Sequence, residues 1–119
     1  MQSPGETEPD REPGYEFVQV HITVPGAGLA RDMADDLVGS QLAACVQVIG
    51  DIGSVYTWDG DIERAEESLI IAKTATTRFA ALAARVRERH PYEVPQVTAT
   101  PIVAVDEAYA AWMRSVLGD

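Results

Sequence analysis

Alternation of apolar and polar residues predicts the strands of this chain. Four strands are expected, over residues 17–24, 45–49 with a continuation at 55–58, 62–74 and 97–105. Gly50, Asp51 and Gly53 interrupt the second strand and predict a β-bulge there. Asp59 and Gly60 form a strong turn signal, so the second and third strands should pair as a long β-hairpin.

Apolar residues that recur every three or four positions predict helices between the strands. The first helix is expected over residues 29–41. The second follows Thr76 or Thr77, either of which can cap it, and the third follows Asp106, which can cap it in the same way. The apolar stripes are Leu29, Met33, Leu37 and Val38, then Phe79, Leu82, Ala83 and Val86, then Tyr109, Trp112, Met113 and Val116. The second stripe should face the core, whereas Tyr109 and Trp112 should lie in the core or at an interface.

The predicted order, β-α-β-β-α-β followed by a terminal helix, indicates an α+β fold of the ferredoxin-like sandwich type. In such a fold, helices cover one face of an antiparallel sheet. The strands here are apolar at both alternations, so we expect another subunit to cover the second face. The long hairpin would overhang a domain of this size, and it is suited to pair with a strand of a neighbouring subunit.

Composition and charge exclude several classes of partner. The 119 residues carry a formal net charge of −10, which argues against nucleic acid and anionic membranes as partners. Because no apolar run could cross a bilayer and no secretory signal is recognisable, a cytoplasmic protein is expected. Residues 1–14 predict a disordered acidic tail, and residues 15–119 predict a single domain. The one cysteine, Cys45, excludes an intrachain disulfide and fits a core position.

The segment from His90 to Pro95 offers the densest chemistry in the chain. Pro91 and Pro95 restrict the backbone at both ends, so the loop presents an imidazole, a phenol and a carboxylate in nearly fixed directions. Neutral imidazole suits Cu²⁺, Zn²⁺ and Ni²⁺, which makes His90 the first candidate metal ligand, with Glu93 or groups of a neighbouring subunit as its partners. The alternative is that His90 caps the second helix.

Several motifs, in this order along the chain, resemble the CutA divalent-cation-tolerance proteins. They are Leu42-Ala43-Ala44-Cys45-Val46, Ser54-Val55-Tyr56-Thr57-Trp58-Asp59-Gly60, Glu67 ahead of Leu69-Ile70-Ile71-Ala72-Lys73-Thr74, His90-Pro91-Tyr92-Glu93-Val94-Pro95, and Tyr109-Ala110-Ala111-Trp112. The resemblance implies a homotrimer similar to PII signalling proteins, no enzymatic activity, and tolerance to divalent cations, copper above all. It implies a Cu²⁺ ion rather than an organic cofactor. In some members a thiol and a second histidine bind copper where Ile22 and Arg89 stand here.

The resemblance also implies an inter-subunit cleft near the His-Pro-Tyr loop, with Tyr56, Trp58, Glu67, Lys73 and Tyr92 around it. Tyr56 and Trp58 alternate onto one face of the hairpin, where they would anchor a subunit interface or form a wall of the cleft. Glu67 and Lys73 would form a partly exposed ion pair or hold a small polar ligand.

Three functions compete at this point. The first is a trimer whose clefts bind a metal ion or a small ligand and signal to an unknown protein partner, with a PII-like scaffold that binds no metal as its variant. The second is metal buffering, for which only His21, His90 and Cys45 offer imidazole or thiol groups. The third is a small hydrolase of the acylphosphatase kind, and the absence of asparagine from the chain argues against it.

Overall fold

The computed structural model describes residues 14–118 and gives them an α+β fold built on one antiparallel sheet. Its four strands have the order β2-β3-β1-β4, which is the ferredoxin-like arrangement that the sequence predicts. The elements are β1 (Phe17–Val24), α1 (Ala27–Gly39), β2 (Cys45–Trp58), β3 (Asp61–Ala75), a 3₁₀ turn (Thr76–Arg78), α2 (Phe79–Arg89), β4 (Val97–Pro101) and α3 (Glu107–Leu117). The predicted tail lies, apart from Gly14, outside the described residues.

Helices α1 and α2 cover one face of the sheet. The even-numbered residues of β1 point into this layer, where Val20, Ile22 and Val24 are fully buried together with Leu37 of α1 and Leu82 of α2. Burial of each large aliphatic side chain contributes about 1.5–3 kcal/mol, so this layer is the main source of stability. The alternation along β1 and the helical stripes therefore predict the core correctly.

Helix α3 packs on the opposite face, at the end of the sheet where β1 begins. Phe17 and Ala75, which are partners in the β1–β3 register, form a second cluster with Met113 and Leu117. Asp106 caps the helix as predicted, because its Oδ2 accepts hydrogen bonds from two backbone N–H groups of the first turn at 3.1 and 3.3 Å.

Strands β2 and β3 form the long hairpin that the sequence predicts. Asp59 and Gly60 have φ angles of 52° and 82°, and positive φ at both central residues is the mark of a type I′ turn. A register shift between Ile49 and Ile52 confirms the bulge. Beyond the bulge the strands are largely exposed, so the hairpin extends past the layer that the helices cover.

Strand β4 is shorter than predicted. It ends at Pro101 rather than at residue 105, because its ladder with β1 ends where β1 begins. Val18 pairs with Pro101, and the backbone carbonyl of Phe17 then accepts the N–H of Ile102 at 2.9 Å. Residues 102–106 continue in irregular structure, with Val103 being 74% exposed.

The predicted cap of the second helix was wrong. The Thr76 hydroxyl donates to the carbonyl of Tyr15 at 2.7 Å instead of capping a helix, and α2 begins only after the 3₁₀ turn. Val38 and Trp112, which belong to the predicted stripes, are 44% and 42% exposed. The buried faces of α1 and α3 are therefore narrower than the apolar pattern suggests.

The second face of the sheet is covered by α3 only near its end. Further along β1, the side chains of Gln19, His21 and Thr23 lie on this face and are half-buried. In the register His21 lies between Ile71 of β3 and Thr98 of β4. Cover by another subunit stays a prediction for this face. No helix in the described part of the chain is long and apolar enough to span a membrane.

Candidate functional site

A cavity of about 720 Å³ opens between the long hairpin and the loop that follows α2. It lies on the second face of the sheet, beyond the bulge. The predicted site residues that line it are Tyr56, Trp58, Glu67, Tyr92 and Glu93. The structure therefore brings the aromatic residues of the hairpin and the acidic and phenolic groups of the His-Pro-Tyr loop to one space.

The hairpin forms one wall of the cavity. Tyr56 and Trp58 are two residues apart on β2, so both side chains lie on the same face of the strand. Glu63 is the register partner of Tyr56 on β3 and therefore lies on this face as well. The tyrosine and tryptophan are 41% and 43% exposed, which leaves a large part of each ring open to a ligand or to another chain.

His90 holds the loop against the sheet and lies beside the cavity. Its Nδ1 accepts the backbone N–H of Tyr92 at 3.0 Å, and its Nε2 lies 2.7 Å from the carbonyl oxygen of Thr23. Because Nδ1 acts as an acceptor, Nε2 must carry the proton and donate to Thr23. His90 is only 8% exposed and ends α2 as its C-terminal cap residue. The neutral imidazole therefore joins three elements and fixes the direction of the loop.

A hydrogen bond between Tyr92 and Glu67 closes the inner end of the cavity. The Tyr92 hydroxyl donates to Oε2 of Glu67 at 3.0 Å, and Glu67 is only 5% exposed. Burial, followed by this hydrogen bond, raises the pKa of Tyr92 to about 12. The phenol is therefore neutral at physiological pH.

Lys73 does not line this cavity of a single chain, so its place in a cleft between subunits stays a prediction. Its Nζ donates to Oε1 of Gln47 at 2.7 Å, on the neighbouring strand. Glu67 and Lys73 share a face of β3, but their separation of six residues corresponds to about 20 Å along a strand. Glu67 and Lys73 of the same chain therefore do not form an ion pair, and Glu67 is bonded by Tyr92 instead.

The predicted metal ligands are not arranged as a metal site within one protomer. Between Gly14 and Gly118, no group of three or more histidine, cysteine and carboxylate side chains is placed to hold a metal ion. Glu93 lines the cavity, whereas both ring nitrogens of His90 are engaged in the hydrogen bonds described above. A metal ion at His90 would have to break one of these bonds. Cys45 lies at the other end of the sheet, in register with Lys73.

Glu63, Thr23 and Gln96 line the cavity although the sequence did not point to them. Glu63 could have been found from the hairpin register, because a two-residue turn at Asp59-Gly60 places it opposite Tyr56. Thr23 and Gln96 approach the cavity only through the packing of the loop on β1, and no local pattern in the sequence signals that packing.

The fold and the site define a small ferredoxin-like α+β protein with an overhanging hairpin and a cavity beneath it. The chain matches the family model of the CutA1 divalent ion tolerance protein over residues 18–116. It therefore belongs to the CutA1 family, as its ordered motifs predict.

Relatives in bacteria and animals are similar to this chain in sequence. The divalent-cation tolerance protein CutA of Thermus thermophilus is 40% identical over 99 residues, which cover 83% of this chain and 96% of that protein. Protein CutA of Homo sapiens is 40% identical over 95 residues, which cover 80% of this chain and 53% of that protein. This chain thus spans nearly all of the bacterial relative and about half of the human one.

Solved structures share the fold. The CutA1 structure from Thermus thermophilus superposes with a TM-score of 0.81 at 39% identity, covering 83% of this chain and 96% of that chain. The CutA1 structure from Oryza sativa gives a TM-score of 0.83 at 33% identity, covering 86% of this chain and 94% of that chain. The similarity extends over both layers of the sandwich, so the fold assignment does not depend on a single motif.

Proposed function

We propose that this chain is a non-enzymatic, cytoplasmic divalent-cation tolerance protein. It assembles as a homotrimer and binds a metal ion, copper first, or a small ligand in clefts between its subunits. The observation that carries the proposal is the family match over residues 18–116, since the family is described by tolerance to divalent ions. The cavity beneath the hairpin supplies the candidate cleft, with a volume typical of small-molecule sites.

Exposed apolar surface supports an assembly of several copies. Ile49 and Val55 of β2 and Ile62 of β3 are 48%, 64% and 67% exposed, and Val103 after β4 is 74% exposed. A long hairpin and an extended segment at a sheet edge are suited to pair with strands of other copies. A closed ring of identical subunits would bury every such edge in the same way, which is why a cyclic trimer suits this chain.

A PII-like trimer that signals without binding a metal directly is the second candidate. The observation that favours it is the geometry of His90, which uses both ring nitrogens to hold the loop. In this variant the cavity takes a small ligand, and the hairpin or α3 transmits its presence to a protein partner. The effect on divalent-cation tolerance would then be indirect.

A calorimetric titration with Cu²⁺ separates the two candidates. The molar mass of the full chain is first measured by light scattering at micromolar concentration. The proposal predicts the mass of a trimer, and the mass of a monomer would overturn it. Direct metal binding predicts about one tightly bound ion per subunit, lost in His90→Gln and kept in the matched control His21→Gln. Weak uptake that neither substitution changes would favour the scaffold. Growth in copper of a host lacking its own CutA, with and without this chain, tests the tolerance role itself.

A further inference from the structure

The cavity beneath the hairpin is lined by aromatic rings and by carboxylates. The described residues that line it include neither lysine, arginine nor histidine. Since the whole chain carries a net charge of −10, nothing in the overall charge offsets this local excess of negative groups. The groups that give the cavity its character are the rings of Tyr56, Trp58 and Tyr92 and the carboxylates of Glu63, Glu67 and Glu93.

Glu67 is the most informative of these carboxylates because it is buried. It is 5% exposed and accepts a hydrogen bond from the neutral phenol of Tyr92 at 3.0 Å. A buried carboxylate is costly unless an opposite charge or several donors compensate it. Tyr56 also contributes to the raised pKa of Tyr92, so the rings of these two tyrosines lie near one another. A cation in the cavity would add an opposite charge beside this carboxylate.

The arrangement suits an organic cation better than a metal ion. Divalent metal ions require several oxygen or nitrogen ligands that converge on one point. In the part of the chain that the structure describes, histidine, cysteine and carboxylate groups do not converge in threes. An ammonium ion that carries carbon substituents spreads its charge over a larger surface and is attracted to the faces of aromatic rings. The aromatic rings of the cavity and the buried carboxylate of Glu67 offer both of the contacts that such an ion makes, with ring faces and with a negative charge.

We infer that the cavity binds a small organic ammonium ion of about the size of choline. The rings of Tyr56 and Tyr92 contact its substituents, Glu67 provides the counter-charge, and Trp58 lies farther along the wall of the same cavity. The inference rests on the proposed function only in treating the cavity as a ligand site. The rings and carboxylates named here come from a single chain.

Fluorescence of Trp58 provides a direct test. The chain has two tryptophans, so Trp112→Phe on α3 leaves Trp58 as the single reporter. Choline is titrated beside 3,3-dimethylbutan-1-ol, its neutral isostere, and putrescine shows whether primary ammonium groups also bind. We expect saturable binding of choline and about tenfold weaker binding of the isostere, which lacks the cation–π and charge terms.

Charge-removing substitutions locate the site. Glu67→Gln should weaken choline binding by about fivefold or more, since it removes the nearest counter-charge. Glu66→Gln is the matched control because Glu66 is exposed and lies on the opposite face of β3, and it should leave binding unchanged. Should Glu67→Gln fail to fold, Glu63→Gln at the exposed part of the wall serves as the second variant.

Equal binding of choline and its neutral isostere would overturn the inference. Equal losses of choline affinity in Glu67→Gln and in the control Glu66→Gln would overturn it as well. If choline fails but Cu²⁺ quenches Trp58 in a Glu67-dependent manner, the ligand class is wrong while the cavity remains a ligand site. If no probe changes the fluorescence, the ligand-site part of the proposed function fails together with the inference.

Discussion

Tyr92→Phe removes one oxygen atom from the cavity and tests the contact that joins the loop to the hairpin. The hydroxyl donates to Glu67 at 3.0 Å, and Glu67 is 5% exposed. A hydrogen bond to a charged group contributes about 1.5–3 kcal/mol. Because Tyr92 itself is half-buried, we expect a loss at the lower end, about 1–2 kcal/mol in the free energy of unfolding. The ring remains in place, so its packing against His90 is kept.

Urea unfolding followed by circular dichroism measures this loss, at one fixed protein concentration since assembly makes the midpoint concentration-dependent. Tyr15→Phe is the matched control because Tyr15 is 43% exposed. Burial and the bond to Glu67 raise the pKa of Tyr92 from 10.0 to about 12, so its contribution is complete below pH 10 and is lost as pH rises toward 12. The difference between wild type and Tyr92→Phe should therefore begin to shrink above pH 10. Equal stability of the two phenylalanine variants would refute the reasoning.

Three further predictions test the fold. Asp36 accepts two hydrogen bonds from Arg85 at 2.7 and 2.8 Å. These bonds are the main reason why the pKa of the Asp36 carboxyl lies below 3.8. Asp36→Asn should cost about 1 kcal/mol at pH 7, and the difference from wild type should vanish as pH falls through the lowered pKa, which acid unfolding measures. Gly60→Ala, at φ 82°, should cost about 1 kcal/mol in thermal unfolding, whereas Gly53→Ala should cost less. Asp106→Ala should remove the N-terminal cap of α3 and lower the free energy of unfolding by about 1 kcal/mol. Hydrogen exchange of the backbone amides in the first turn of α3 should become faster.

Much of the fold follows from local patterns. The alternation in β1 predicts which side chains meet the helices, and Asp59-Gly60 predicts the turn because both residues accept positive φ. What the sequence could not predict depends on contacts between distant segments. Strand β4 ends where β1 begins, because no further β1 residue is left to pair with it. The Thr76 hydroxyl donates to the carbonyl of Tyr15 and does not cap α2.

The candidate site shows the same division. The aromatic pair of the hairpin could be placed on one face from its spacing, and the two prolines predict a restrained loop. The partner of Glu67 could not be predicted in this way, since Tyr92 reaches it only after the loop packs against the sheet. Lys73 lies on the same face of β3 as Glu67 by alternation, but the distance along the strand separates the two side chains. The lysine donates a hydrogen bond to Gln47 instead. Alternation predicts the face of a residue and does not predict its neighbour.

Native mass spectrometry of the full chain tests the central claim most directly, because it counts subunits and bound ligands in one spectrum. Separate samples would contain Cu²⁺ or choline, each with wild type and with Glu67→Gln. The account predicts a trimer that takes up as many as three copies of at least one probe, with weaker uptake of choline by the variant. A single-chain mass, or a trimer that takes up neither probe, would contradict it.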